Sequence, residues 1–428
     1  MNDSDLTLAA RYLFPVLGPP IGDGTLTIRN GRIAWLGPRH DRHPDLDLGN
    51  VALLPGLVNA HTHLDLGGLR GRIPPRPSFI HWLGEVVEFR RALAPQQIEP
   101  SIRRGISESL AAGTTLAGDI SADGASWPLL AASPLRSVVF YEVLGLRPER
   151  ARETWAAAAA WLDQVSCFNA GLISPGLSPH APYSTSGSLY QAAAELAAAR
   201  RMPLATHLAE SVEELELLRG QSGPLGDFLE ALGAWHDQWR PLGTSPLDYL
   251  RALSATGADC LIVHGNYLPP HELDPLWSDP TPAPPPTTQG LRRGRLAVVY
   301  CARTHDYFGH PPHPWVGKAT DRIRVCLGTD SLASNPDLSI LEEMRFVHRR
   351  YEWLAGQDLL AMGTFAGAWA VRREHELGSL APGKRADLCA VALPNHDDKD
   401  PYRLLWRSQL PVAGTMIGGR WVFGPQIT

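Results

Sequence analysis

Several classes of protein are argued against by what these 428 residues lack. Cysteine is scarce: Cys167, Cys260, Cys301, Cys326 and Cys389 form no close pairs, so neither a disulfide framework nor a cysteine-based zinc site is indicated. They are expected to be small buried hydrophobes on strands. Long apolar runs are missing, and the longest alanine stretch, Ala156–Ala160, sits in a helical pattern too short for a bilayer. Charge of one sign is never concentrated, and a net charge of -5 argues against capture of nucleic acid or a membrane surface. The opening Met1-Asn-Asp-Ser-Asp-Leu6 is acidic where a signal peptide would be basic and then apolar, so a cytoplasmic location is expected. Short-period repeats are absent, and no candidate strand ends in lysine.

What is present divides into two textures. Near the N-terminus, Thr25–Arg29 and Arg32–Leu36 are short β-like runs around Asn30-Gly31, a hairpin signal; near the C-terminus, Ala386–Leu393, Pro411–Ile417 and Arg420–Phe423 look alike. The two ends are expected to combine into one small β-sandwich domain (1–52 with 377–428) around an inserted middle (53–376). That middle alternates apolar strands with helical patterns. Strands are expected to end at His61/His63 and over Thr114–Asp119, Ser137–Glu142, Ala170–Pro175, Pro203–His207, Cys260–His264, Leu296–Tyr300 and Arg324–Asp330. Helices are expected over Pro100–Ala112, Arg150–Val165, Ser188–Arg200 and Ser339–Tyr351. Eight strands alternating with helices over about 320 residues predict an α/β fold, a (β/α)8 TIM barrel. A doubly wound open sheet is the alternative, disfavoured because reactive residue types recur at the C-terminal ends of several strands, which converge on one mouth only in a barrel. Asp279–Thr288, rich in proline, is expected to be an exposed loop.

The chain is organised around Leu54-Pro-Gly-Leu-Val-Asn-Ala-His61-Thr-His63. In a strand, residues i and i+2 share a face, so both imidazoles point the same way off its end. Alone, such a pair is common on ordinary strands. Here further groups end other strands: His207 the fifth, His264 the sixth and Asp330 the eighth. Among these groups, three imidazoles and a carboxylate with a place left for water suit a divalent metal of borderline softness, zinc or ferrous iron. Glu210, three residues past His207, is placed to take a proton from a metal-activated water, whose pKa falls from about 15.7 to about 7. His264 is then an auxiliary group hydrogen-bonding the attacking oxygen.

Pro55–His63, Ser178–Ser184, Thr206–Ser211, Val263-His264 and Gly328-Thr-Asp330-Ser331, in this order, resemble the amidohydrolase superfamily, in its cytosine/guanine/adenosyl-type deaminase branch. The likeness spans nearly the whole chain, including the Gly378–Leu388 return to the terminal sheet. It implies one divalent ion on His61, His63, His207 and Asp330, with Glu210 as proton shuttle. Without a strand-end lysine, one metal is expected rather than two. It further implies a cyclic amidine deaminase, a C–N hydrolase releasing ammonia from a small molecule, with homo-oligomers frequent among relatives.

For substrate contacts, the resemblance points to His180 and, among adenosyl-type substrates, to aminodeoxyfutalosine of menaquinone synthesis, with S-adenosylhomocysteine and methylthioadenosine beside it. Trp82 is expected as an aromatic lid and Glu85 or Glu88 as a carboxylate for ribose hydroxyls, although these three equally suit an ordinary amphipathic helix. Arg303 and Ser331 are further expected contacts. A base deaminase of guanine or cytosine type, or a chlorohydrolase or amide hydrolase, is the alternative. The family's usual Val-His-Cys-Pro after the seventh strand is replaced by Val299-Tyr300-Cys301-Ala302, which leaves the metal ligands intact and bears on substrate contacts.

Overall fold

The computed structural model describes residues 5–166, 171–236, 239–270, 294–318 and 323–424. Cys167 and the proline-rich 279–288 lie outside the described residues. Two sheets carry the fold.

The first is built from both ends of the chain. Leu6–Leu13, Ile21–Arg29, Arg32–Pro38, Leu46–Asp47 and Val51–Pro55 join Leu388–Ala392, Val412–Ile417 and Arg420–Phe423 in one mixed eight-stranded sheet. The junction is Val51–Pro55, parallel to the first strand (Leu13 opposite Leu53) and antiparallel to the returning one (Leu53 opposite Ala390). The hairpin at Asn30-Gly31 forms because both residues take the left-handed backbone, φ 51° and 71°, that such a turn requires. Leu8, Leu13, Leu26, Ile33, Leu53, Leu388 and Met416 fill this sheet's core.

The second sheet is the barrel. Its eight strands are Leu57–His63, Thr114–Ser121, Arg136–Val143, Ile173–Pro179, Leu204–Leu208, Cys260–His264, Leu296–Tyr300 and Ile323–Leu327. Each pairs in parallel with its sequence neighbour. The ring closes where the chain past the eighth strand returns to the first: Asp330–Ser331 pairs with Thr62 and His63. Asn59 ties the seam, accepting from the Thr329 amide at 3.1 Å and donating to Thr329 Oγ1 at 2.8 Å. Gly328 is required there, since a Cβ would meet His61 at 2.9 Å. Val58, Leu116, Val138, Phe140, Leu261, Val263 and Val299 fill the barrel interior.

Helices Pro148–Ser166, Gly187–Arg200 and Ile340–Arg350 fall within a few residues of expectation. The helix expected from Pro100 starts at Pro95, and Pro100 lies inside it. The fourth strand runs over Ile173–Pro179 rather than Ala170–Pro175, because Gly171, at φ 60°, still belongs to the turn before it. Cys260, Cys326 and Cys389 are buried on strands, and Cys301 is buried just after one. Among the described residues no helix is long and apolar enough to cross a membrane.

Candidate metal centre and its surroundings

His61 and His63 end the first barrel strand with both rings inward, centroids 4.8 Å apart. The fifth strand brings His207, whose ring lies 4.9 Å from that of His61. His207 Nδ1 lies 3.1 Å from the carbonyl oxygen of His180, to which it donates, leaving its Nε2 lone pair facing His63 Nε2 at 3.3 Å. Asp330 adds a carboxylate, Oδ1 standing 3.5 Å from His61 Nε2 and 3.7 Å from His63 Nε2, while Oδ2 accepts from Ser334 Oγ at 3.1 Å.

These separations test the metal hypothesis. Ligand atoms at about 2.1 Å from a tetrahedral ion stand about 3.4 Å apart, and the observed 3.3 to 3.7 Å matches that spacing. Both ring nitrogens of the fully buried His61 and Nδ1 of His63 have no hydrogen-bond partner. Buried polar atoms are rarely left so. Burial, followed by neighbouring imidazoles, holds His63 and His207 well below the usual histidine range, so they are neutral as ligation requires. The donor set fits a divalent cation. The ligand atoms of the three histidines all lie within 4.8 Å of one another.

Beside this cluster stand Glu210 and His264, with Oε1 3.4 Å from Nε2. Burial, reinforced by Asp330 and Glu214, pushes the Glu210 carboxyl well above its usual range, so it holds a proton readily. Asp330 moves the other way: burial raises it, but the close His61 imidazole and the nearby His264 hold it below the usual value. His264 and Asp330 both take left-handed backbone, φ 69° and 58°, a conformation costly for such residues and concentrated at functional sites.

The positions of Glu210 and His264 are set by residues not singled out in the sequence. Glu214 reaches back from the first turn of the next helix, Val212–Gly220, accepting from the amides of Ala209 at 2.8 Å and Glu210 at 2.9 Å. The signal for it was Ser211-x-x-Glu214, a helix-start pattern. Asn266 Nδ2 donates to the Glu210 carbonyl oxygen at 2.9 Å, and His313 Nε2 donates to that of His264 at 2.8 Å.

The expected substrate contacts fare unevenly. His180 lies beside the cluster, its ring 4.8 Å from that of His207. Trp82 is a buried member of an aromatic roof, stacked on Phe79 (6.1 Å) and edge-on to Phe308 (5.3 Å), rather than a free lid. On the helix Phe79–Ala92 the buried face is Phe79, Trp82, Leu83 and Val86, and Glu85 and Glu88 both lie on the exposed side. From the same helix it is Arg90 that turns inward, pairing with Glu142 at 2.6 Å and Asp65 at 3.3 Å. The Arg303 guanidinium is committed to Asp337 (2.7 and 2.9 Å), Glu343 (2.7 Å) and the Ser339 carbonyl oxygen (3.2 Å). Ser331 is buried and its hydroxyl accepts from the Ala333 amide at 3.3 Å, closing a turn. In the departing segment, Tyr300 packs on His313 (4.2 Å) and Cys301 joins the barrel-interior cluster.

With this geometry in place, comparison with known proteins is decisive. The amidohydrolase family model matches residues 52–422. The chain belongs to the amidohydrolase family. Within it, the chain is 29% identical over 339 residues (76% of this chain, 74% of the other) to an aminodeoxyfutalosine deaminase of Deinococcus radiodurans. It is 28% identical over 431 residues (94% and 88%) to a 5-methylthioadenosine/S-adenosylhomocysteine deaminase of Desulfovibrio desulfuricans. The fold is shared with Helicobacter pylori aminofutalosine deaminase, solved with methylthio-coformycin, at a TM-score of 0.81 and 23% identity, covering 98% of this amidohydrolase and 100% of that chain.

Proposed function

We propose that this amidohydrolase deaminates an adenosine derivative by hydrolysis, releasing ammonia from the carbon that bears the exocyclic amine. The observation that carries the reading is the placement of a buried, proton-retaining Glu210 against His264 and beside three histidines and Asp330. The names of the relatives supply the substrate class. His61, His63, His207 and Asp330 would hold one divalent ion, zinc by the chemistry of three nitrogens and one carboxylate. When bound, such an ion polarises an attacking water and lowers its pKa to about 7.

The chain's own residues then divide the work. Glu210 takes a proton from the water as its oxygen bonds to the ring carbon. It delivers that proton to the adjacent ring nitrogen, and the hydroxyl proton of the adduct then passes to the amine as the C–N bond breaks, so ammonia leaves and a ring carbonyl remains. His264, within reach of Glu210, hydrogen-bonds the oxygen that gains charge during addition. His180 orients the purine, and the roof of Phe79, Trp82 and Phe308 excludes water.

Aminodeoxyfutalosine is the finer substrate proposal, with methylthioadenosine and S-adenosylhomocysteine beside it; it would place the enzyme in menaquinone synthesis. A cytoplasmic location, a homo-oligomer and a division into 1–52, 53–376 and 377–428 are part of the same reading. Ammonia release is to be measured with zinc-loaded protein on these three compounds and on 5'-deoxyadenosine, guanine and cytosine. Release from at least one adenosine derivative is expected. Release from guanine or cytosine alone, or from none, contradicts the reading.

A further inference from the structure

Glu142 has no role in the mechanism above. It is the last but one residue of the third barrel strand, with its side chain 1% exposed. Its Oε2 accepts from Arg90 Nη1 at 2.6 Å, whereas Oε1 has no hydrogen-bond partner and stands 3.9 Å from His180 Nε2. A buried carboxylate oxygen left free is costly, and it faces the ring that the deaminase reading brings to the substrate.

The other side of that ring is also held. Ser184 Oγ stands 2.6 Å from His180 Nδ1 and 3.2 Å from the Ala181 carbonyl oxygen; with the hydroxyl donating to Nδ1, the ring proton sits on Nε2, facing Glu142 Oε1. The His180 ring therefore lies between a hydroxyl at Nδ1 and a carboxylate at Nε2, and the carboxylate is itself fixed by a guanidinium. At 3.9 Å the second contact is long, as such contacts are in unliganded sites, where they tighten when substrate arrives. Arg90 is fixed in turn by Asp65 at 3.3 Å.

We propose that Glu142, anchored by Arg90, is a positioning residue that sets the His180 ring for contact with substrate. The proposal rests on the deaminase reading, in which His180 meets the purine. Glu142 acts through His180, so its loss weakens substrate binding and leaves the proton transfers at Glu210 intact.

The test is a double-mutant cycle on zinc-loaded protein, with ammonia release from methylthioadenosine, 5'-deoxyadenosine and aminodeoxyfutalosine as readout. Glu142→Gln is expected to raise KM about tenfold with kcat within about threefold, at unchanged metal content and Tm. In a His180→Ala background the same substitution should add less than about twofold, because the contact it would disturb is already gone. Arg90→Lys, which loosens Glu142 without removing it, should raise KM about threefold and lose that effect in the same background. It keeps the proposal falsifiable if Glu142→Gln fails to fold. An unchanged KM in both variants overturns the proposal. So does a Glu142→Gln effect that adds in full to His180→Ala, since Glu142 would then touch the substrate itself. If the parent releases no ammonia from any of the three compounds, the deaminase reading falls and the proposal with it. Activity in the parent with KM unmoved sinks the positioning role alone.

Discussion

Two largely buried arginines frame the barrel mouth, and their donors are used in opposite ways. Arg303 spends its guanidinium on Asp337, Glu343 and the Ser339 carbonyl oxygen, so the corner beyond the seventh strand is a closed polar network. Arg90 also pairs with two carboxylates, yet its Nε, one oxygen of Asp65 and one of Glu142 remain without partners. The first arrangement is finished without a ligand and acts as scaffold. The second stands next to the unpartnered nitrogens of His61 and His63 and leaves acceptor atoms free. Single unpaired polar atoms, such as Tyr249 Oη and Trp406 Nε1, occur elsewhere in the fold; what marks the site is their concentration among ionisable groups around His61 and His63.

That contrast is open to experiment. On the site side, His207→Ala removes one ligand of the proposed ion and should cost several kcal/mol of transition-state stabilisation, on the order of 10³-fold in kcat/KM. Metal content should fall with it, as read by elemental analysis and ammonia assay. On the scaffold side, Arg303→Ala strands the fully buried Glu343 and should cost ~3–5 kcal/mol of stability in urea unfolding. The KM of the folded fraction should stay within about threefold. A KM rise of tenfold or more with stability intact would turn Arg303 back into a substrate contact and erase the distinction.

A smaller effect is expected at Glu214, whose carboxyl burial pushes up to about 7 from 4.5. The folded state then holds its proton more tightly than the unfolded chain, so this group's contribution is full below pH 4.5 and is lost as pH rises through about 7. The stability margin of the parent over Glu214→Gln should therefore shrink between pH 5 and pH 7.5, and a margin that grows would contradict the assignment. The smallest effect belongs to Glu85→Ala and Glu88→Ala. Both lie on the exposed helix face, so stability should move by no more than about 0.5 kcal/mol and KM not at all.

The strand ends were legible in the sequence because their signals are local. His61 and His63 share a face through the two-residue repeat of a strand, and His207, His264 and Asp330 each close an apolar run. The terminal sheet was legible for a similar reason, from Asn30-Gly31 and the matching hairpins at the far end. What was not legible depends on contacts between distant segments. Which face of Phe79–Ala92 turns inward is decided by packing against Phe308 and Tyr183, more than a hundred residues later, so Arg90 rather than Glu85 or Glu88 reaches the mouth. The pairing of Arg303 with Asp337 and Glu343, and of Glu142 with Arg90, likewise appears only when the chain is folded.

The central claim is that a divalent ion on the strand-end histidines works with Glu210 as the proton carrier. Glu210→Gln keeps shape and the four proposed ligands while removing the titratable carboxyl. Metal content and ammonia release, measured together on parent and variant, test the claim most directly. One ion per chain in both proteins, with turnover lowered by about 10²–10⁴-fold in the variant, is the predicted result. Ammonia release at the parental rate from metal-loaded Glu210→Gln would contradict it.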